Sequence, residues 1–242
     1  MSYYDWWRQR LDFVEGFPSS RCHEANLLLW ASADALAGAW FKAQSAGAPT
    51  PLRKVSDRRR MGDYLARYGN DAFRKVSAPW LWHGIADVRE QLGPADFASV
   101  LSLGRVCGPA ATMPNCLRGI EADPLTTEAL QRLGPVADRE VRRQGKKTTV
   151  REIVLSARFG EIANQQMRNA LVHEGQPGPR SHGYNMGSEG LTAPTYMSGA
   201  NECPPMIGFS FAFVLSTLRT CLDGMEEELP EAEIRAALAR PR

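Results

Sequence analysis

The chain has 242 residues, 43% of them hydrophobic, with 29 Lys and Arg against 27 Asp and Glu for a formal charge of +2. That is enough apolar chain to bury a core, and its length fits one large domain or two small ones. The near-balance of charge excludes a global field that would hold nucleic acid, so any such contact must come from local patches.

The first strongly helical stretch is His23 to Gln44, dense in Ala, Leu and Trp, with Leu27, Trp30, Ala37 and Phe41 on one stripe and Asp34 in its middle. Pro49 and Pro51 end it in a linker, and a basic helix is expected from about Val55 to Tyr68 before a turn at Gly69-Asn70-Asp71. Short helices follow at Pro79 to Leu92, Pro94 to Val106 and Pro124 to Leu133, each opened by a proline at or near its first turn. Next comes Thr148 to Glu174, some twenty of its residues free of Pro and with one Gly, which predicts one long helix. Thr149 with Glu152 makes a capping box at its start, and Glu174-Gly175 followed by Pro177 makes a stop. From Pro177 to Pro205 the composition of Gly, Pro, Ser, Asn and Tyr predicts a long loop or a short hairpin. A last helix runs from Met206 to about Glu228, apolar on nearly every side through Leu222. The fold class read from this order is all-α, a helical bundle with extra short helices in the middle, organised as one elaborated domain over 1–242.

Compartment follows from cysteine usage. Cys22, Cys107, Cys116, Cys203 and Cys221 are odd in number, scattered, without a CxxC pair and without zinc-type spacing to any histidine. Free thiols in a reducing compartment are expected, with no metal and no cofactor. The start, Met1 to Arg8, lacks the apolar core of a signal peptide, and the apolar run from Ile207 to Leu218 is too short for a span of about 20 residues. A cytoplasmic protein that does not enter the membrane is the simplest expectation.

The end of the long helix, Arg168-Asn169-Ala170-Leu171-Val172-His173, puts an arginine, an amide and a histidine within one stretch. Those groups can bind a phosphate and move a proton. On an ideal helix Asn169 and His173 share a face, whereas Arg168 and His173 are offset by roughly 140°. Three arrangements would still join them. The arginine could reach around, the last turn could depart from ideal geometry, or a second copy of the helix could supply the missing group across a dimer.

This hexapeptide resembles the R-x4-6-H signature of HEPN domains (higher eukaryotes and prokaryotes nucleotide-binding), in its R-N-x-x-x-H form. The order of helices agrees, with His23 to Gln44 and Met206 to Glu228 placed to flank the motif helix. The resemblance covers the two ends of the chain; the segment from about 93 to 147 is read as a helical insertion. What the resemblance implies is metal-independent RNA cleavage by a homodimer with both motif copies at one interface, although other members of the family are non-catalytic modules that bind nucleotide, RNA or a protein partner. A toxin, antiviral-defence or stress role, with an antitoxin or regulatory protein as partner, belongs to the same implication. HEPN toxins neutralised by a nucleotidyltransferase antitoxin carry a tyrosine two positions after the histidine; here that position is Gly175.

The residue types suit that chemistry. RNA carries its own nucleophile, the 2′-hydroxyl, so a site needs a proton-transfer group active near neutrality and a positive group for the phosphorane. His173 serves the first need and Arg168 the second, with bidentate contact to phosphate. Asn169, one turn before His173, could orient the imidazole or bond substrate. Asp34 is costly on an apolar stripe unless paired, either with the motif arginine or with some other structural arginine or backbone cap.

Other candidates carry less. His23, His83 and His182 lack motif context, with His182 the second choice. Tyr184 and Tyr196 could stack on bases or simply pack. The Trp6, Trp7, Trp80 and Trp82 group is read as core or dimer surface. Two basic patches, Arg53-Lys54 with Arg58-Arg59-Arg60 and Arg142-Arg143 with Lys146-Lys147, are read as solvated faces.

Overall fold

In the computed structural model, which describes residues 1–47, 56–103, 117–118, 120–121, 123–181, 193–197 and 206–239, the chain is an all-α helical bundle carrying two small antiparallel sheets. The residues from 48 to 55, from 104 to 116 and from 182 to 192 lie outside the described set. So do Pro49, Pro51, the Arg53-Lys54 half of the first basic patch, His182 and Tyr184.

Helix α1 (Tyr3–Glu15) places Tyr4, Trp7, Leu11 and Val14 on one buried face, a spacing of three and four that the aromatic N-terminus disguises. Ser2 caps it by accepting the Asp5 N–H at 2.9 Å. Helix α2 (Cys22–Gly47) buries Leu29, Ala33 and Leu36 together with Trp30 and Ala37 of the expected stripe, while Leu27, Phe41 and Asp34 are partly buried. Helix α3 (Asp57–Tyr68) opens on Ser56, which accepts the Arg59 N–H, and buries Met61, Gly62, Tyr64 and Leu65.

The middle of the chain contains the expected short helices and something more. Helices α4 (Ala78–Ala86) and α5 (Pro94–Leu103) precede strand β1 (Leu117–Arg118) and helix α6 (Thr126–Leu133). Strands β2 (Glu140–Arg143) and β3 (Lys146–Thr149) then form a hairpin inside the segment expected to be helical. Its two-residue turn has positive φ at both Gln144 (49°) and Gly145 (76°), the geometry that matches strand twist. Val76, Leu81, Ile85, Val141, Val150 and Ile153 belong to a core cluster separate from the main one.

The single helix expected over 148–174 is broken. Thr149 does cap helix α7 (Val150–Ser156) by accepting the Glu152 N–H, but the Glu152 carboxylate turns to Arg59 rather than closing the box. At Arg158 the backbone is extended (ψ 147°) and pairs with Val76; the Phe159 N–H donates to the Lys75 carbonyl, and the Ser77 N–H to that of Ala157. Tertiary pairing with the 75–77 segment thus overrides the helix propensity of Ser156-Ala157-Arg158. Helix α8 (Phe159–Ala163) restarts there, widens into a π turn at Asn164–Asn169 and ends as helix α9 (Ala170–Glu174). Gly175 stops it in the left-handed region (φ 70°), as Gly in that place predicts.

Within the segment expected as loop or hairpin, strand β4 (Thr195–Met197) lies between β1 and strand β5 (Met206–Gly208). The last long helix therefore begins later than expected: α10 (Phe211–Glu228) is capped by Ser210, which accepts the Phe213 N–H at 3.2 Å. The acidic end is followed by one more helix, α11 (Glu231–Ala239), which packs on α2 and buries Ile234 and Ala237. No described helix is long and apolar enough to cross a membrane.

Helices α3 and α8 meet at two glycines. A Cβ on Gly160 would stand 2.8 Å from the Gly62 Cα, and one on Gly62 would stand 2.5 Å from the Glu161 carboxyl. Only glycine permits this approach, which seats the start of the motif helix directly on α3.

Candidate functional site

Three consecutive arginines on α3 point three ways, as about 100° per residue requires. Arg60 donates to Asp34 Oδ1 at 3.1 Å, Arg59 to Glu152 Oε2 at 2.6 Å, and Arg58 to the Ser156 carbonyl at 2.5 Å. The described half of the patch read as a solvated face, Arg58 to Arg60, is thus tied down, and Arg60 enters the candidate site. The signal was present in the sequence, because neighbours on a helix cannot share a face.

On α2, Asp34 receives both Arg60 and Arg168, the latter with NH2 to Oδ2 at 2.7 Å. The motif arginine is therefore the carboxylate's partner, the first of the two alternatives, and a second arginine stands beside it. All three side chains are only 16–21% exposed, so screening by water is reduced but not absent. The trio carries one excess positive charge, which Asp57, 3.1 Å from Arg60 NH1, partly offsets at the exposed edge.

The π turn explains how Arg168 gets there. Asn164 and Asn169 are five residues apart, roughly 140° on an α-helix, yet Asn169 Nδ2 donates to Asn164 Oδ1 at 3.3 Å. One extra residue in the turn stacks i over i+5. The turn is pinned from inside by buried Asn164, whose amide reaches Met61 Sδ at 3.2 Å, and from behind by Gln166. The Gln166 carbonyl accepts the Gly178 N–H at 2.7 Å and its side-chain oxygen the Arg180 N–H at 3.1 Å. Gly178 fits so closely that a Cβ there would meet Gln166 Oε1 at 2.4 Å.

With the turn widened, Arg168 NH1 lies 3.4 Å from His173 Nε2 within one chain. The two groups meet by the first and second of the three arrangements, reach and a non-ideal turn. The offset that motivated a shared dimer site is thereby removed. If NH1 donates here, Nε2 accepts and the ring proton rests on Nδ1. Of the two parts expected of Asn169, its hydrogen bonds bear on the first. Its Oδ1 accepts from Arg168 NH1 at 2.7 Å while its amide goes to Asn164, so it positions the guanidinium rather than the imidazole. His173 itself is exposed at the end of α9, next to Val172, an apolar side chain 41% exposed.

Two other candidates are placed elsewhere. Tyr196 is buried, its hydroxyl bonded to Asp123 Oδ2 at 2.6 Å and Ser77 Oγ at 2.7 Å, so it packs and does not offer a face for a base. Trp7 is core, while Trp6 and Trp82 are each 39% exposed. Comparison with protein-family models, with curated proteins and with solved structures gives no match.

Proposed function

We propose that the chain is a HEPN-like endoribonuclease that cleaves RNA by 2′-hydroxyl attack, without a metal, to leave a 2′,3′-cyclic phosphate. One observation carries the reading: an exposed imidazole and an arginine stand 3.4 Å apart at a helix end, with that arginine's other nitrogen held by Asp34. The imidazole transfers the proton of the 2′-hydroxyl or of the leaving 5′-oxygen. Arg168, held in place by Asp34 and Asn169, and Arg60 beside it supply positive charge to the phosphorane. A toxin or antiviral-defence setting, with a regulatory protein to restrain the activity, is the role this chemistry fits.

Incubation with single-stranded and structured RNA in EDTA tests it. Cleavage is expected, with cyclic-phosphate ends, and a single 2′-deoxy substitution at the cut position should stop it. Intact RNA with folded protein would falsify the reading.

The homodimer of the resemblance is kept as part of the proposal, with the exposed Val172 beside His173 as the apolar centre of the contact. Because each chain holds both groups, the dimer would place two sites side by side rather than complete one. Mixing Arg168→Ala with His173→Ala chains is then expected to restore little activity after subunit exchange; recovery toward a quarter or more of the native rate would return the site to the interface.

A second reading has its own observation. Arg168 is mostly buried and its Nε has no hydrogen-bond partner among the described residues, which suits a structural tie between α2 and the motif helix in a non-catalytic binding module.

A further inference from the structure

One arginine from each of the two basic patches lines a common cavity. Arg58 of α3 and Arg143 of the β2–β3 hairpin line a cleft of about 560 Å³, together with Trp80 and His83 of α4 and Gln165 of the π turn. Its size lies within the range of small-molecule sites, roughly 300–1,000 Å³. Gln165 and Gln166 of the π turn line it, and Asp34 and Arg168 do not.

Arg58 is the unusual member. Its guanidinium donates to one backbone carbonyl, its Nε has no partner among the described residues, and no carboxylate there stands within ion-pair distance. The acids nearby are committed: Glu161 to Arg158 and Arg59, and Glu152, which also lines the cleft, to Arg59. Burial drives the Arg58 guanidinium below its ordinary pKa, with the positive Arg143 and Arg59 adding to the effect and Glu161 opposing it. A guanidinium whose Nε is buried without an anion is costly to hold, and no described residue supplies the charge that would relieve it. Arg143 is bonded to Asp87 through Nε at 3.2 Å, which leaves its terminal nitrogens for a second acceptor.

We propose that this cleft binds a phosphorylated ligand of mononucleotide size, its phosphate held between Arg58 and Arg143 and its ring against Trp80. The hairpin supplies Arg143, Gln144 and Thr148, so the inserted part of the chain would make the site. Because Gln165 and Gln166 belong to the turn that aims Arg168, occupancy would also stiffen that turn. Binding does not depend on RNA cleavage, so the two proposals fail separately.

Calorimetry of the full chain with AMP, adenosine and inorganic phosphate tests it. AMP should bind, adenosine should bind at least about tenfold more weakly, and inorganic phosphate should compete with AMP, because the charged contact is worth roughly 1.4 kcal/mol or more. Arg143→Gln and Arg58→Gln should each weaken AMP about tenfold or more, while His173→Ala should not. Arg143 lies on the hairpin, outside the helices that meet at the π turn, so its variant stands if Arg58→Gln fails to fold. Three results would overturn the proposal: no heat with AMP up to about 5 mM, equal binding of adenosine, or AMP binding unchanged in a folded Arg143→Gln chain. Displacement of AMP by a short oligoribonucleotide that binds far more tightly would also overturn it, by making the cleft a track for the strand.

Discussion

Arg158→Met is expected to destabilise the chain by about 3–5 kcal/mol, the cost of stranding a buried charge. Arg158 and Glu161 are almost fully buried, and the arginine donates to both Glu161 oxygens (Nε at 2.9 Å, NH2 at 2.5 Å) and to Asp63 at 2.5 Å. Burial raises the Glu161 carboxyl above its usual range despite Arg158, so removal of the arginine leaves a carboxylate with little but Arg59, 3.5 Å away. At roughly 2–4 °C per kcal/mol for a chain of this size, the melting temperature should fall by about 10 °C. The surface clusters set the scale for comparison: Arg8 with Asp223 and Glu226, or Arg219 with Asp12 and Glu15, are exposed pairs whose loss should cost about 1 kcal/mol or less. A double variant, Arg158→Met with Glu161→Gln, should recover more than half of the loss, because it removes the stranded charge as well as the bond. Equal melting of single and double variants would show that shape, not charge, holds the joint.

That joint is also where the sequence becomes hard to read. Thr149 and Gly175 announced the two ends of the motif helix correctly because a cap and a left-handed stop are local events. The break between them is not local: Ala157-Arg158 leaves the helix to pair with a segment some eighty residues earlier, and no neighbouring residue signals it. The hairpin at 140–149 escaped for a milder reason. Its turn is Gln144-Gly145 rather than Asn-Gly or Asp-Gly, and two pairs of basic residues hide the alternation. Helix α1 was legible in the spacing of Tyr4, Trp7, Leu11 and Val14, but its tryptophans were read only as core or dimer surface, with no helix assigned.

The candidate site divides in the same way. A carboxylate near an apolar stripe demands a cation, so the pairing of Asp34 with Arg168 could be argued from residues alone. The offset of Arg168 from His173 was also a sound deduction for a regular helix. What no local pattern gave was the π turn, set by buried Asn164 against Met61, far away in sequence, and by Gln166 against Gly178 beyond the helix end. The turn sets Asn169 against the Arg168 guanidinium and removes the geometric case for a shared site.

His173→Ala is expected to lower kcat for RNA cleavage by about 100-fold or more, the usual range for loss of a general acid or base. Arg168→Ala should cost as much, through lost charge at the phosphorane, and Arg168→Lys should restore little, since a lysine cannot hold Asp34, Asn169 and a phosphate with one fork. Asp34→Asn separates position from charge. It keeps the shape and leaves both arginines cationic, so a loss of about tenfold in kcat with KM little changed would mark Asp34 as a positioning residue. The non-catalytic reading predicts a different ranking on a different scale. If Arg168 is only a tie between α2 and the motif helix, Arg168→Ala and Asp34→Asn should each lower the melting temperature by several degrees, while His173→Ala, whose ring is exposed, moves neither melting nor any RNA product. Measuring kcat and melting on the same three variants decides between them, because only the enzyme makes the exposed histidine matter most.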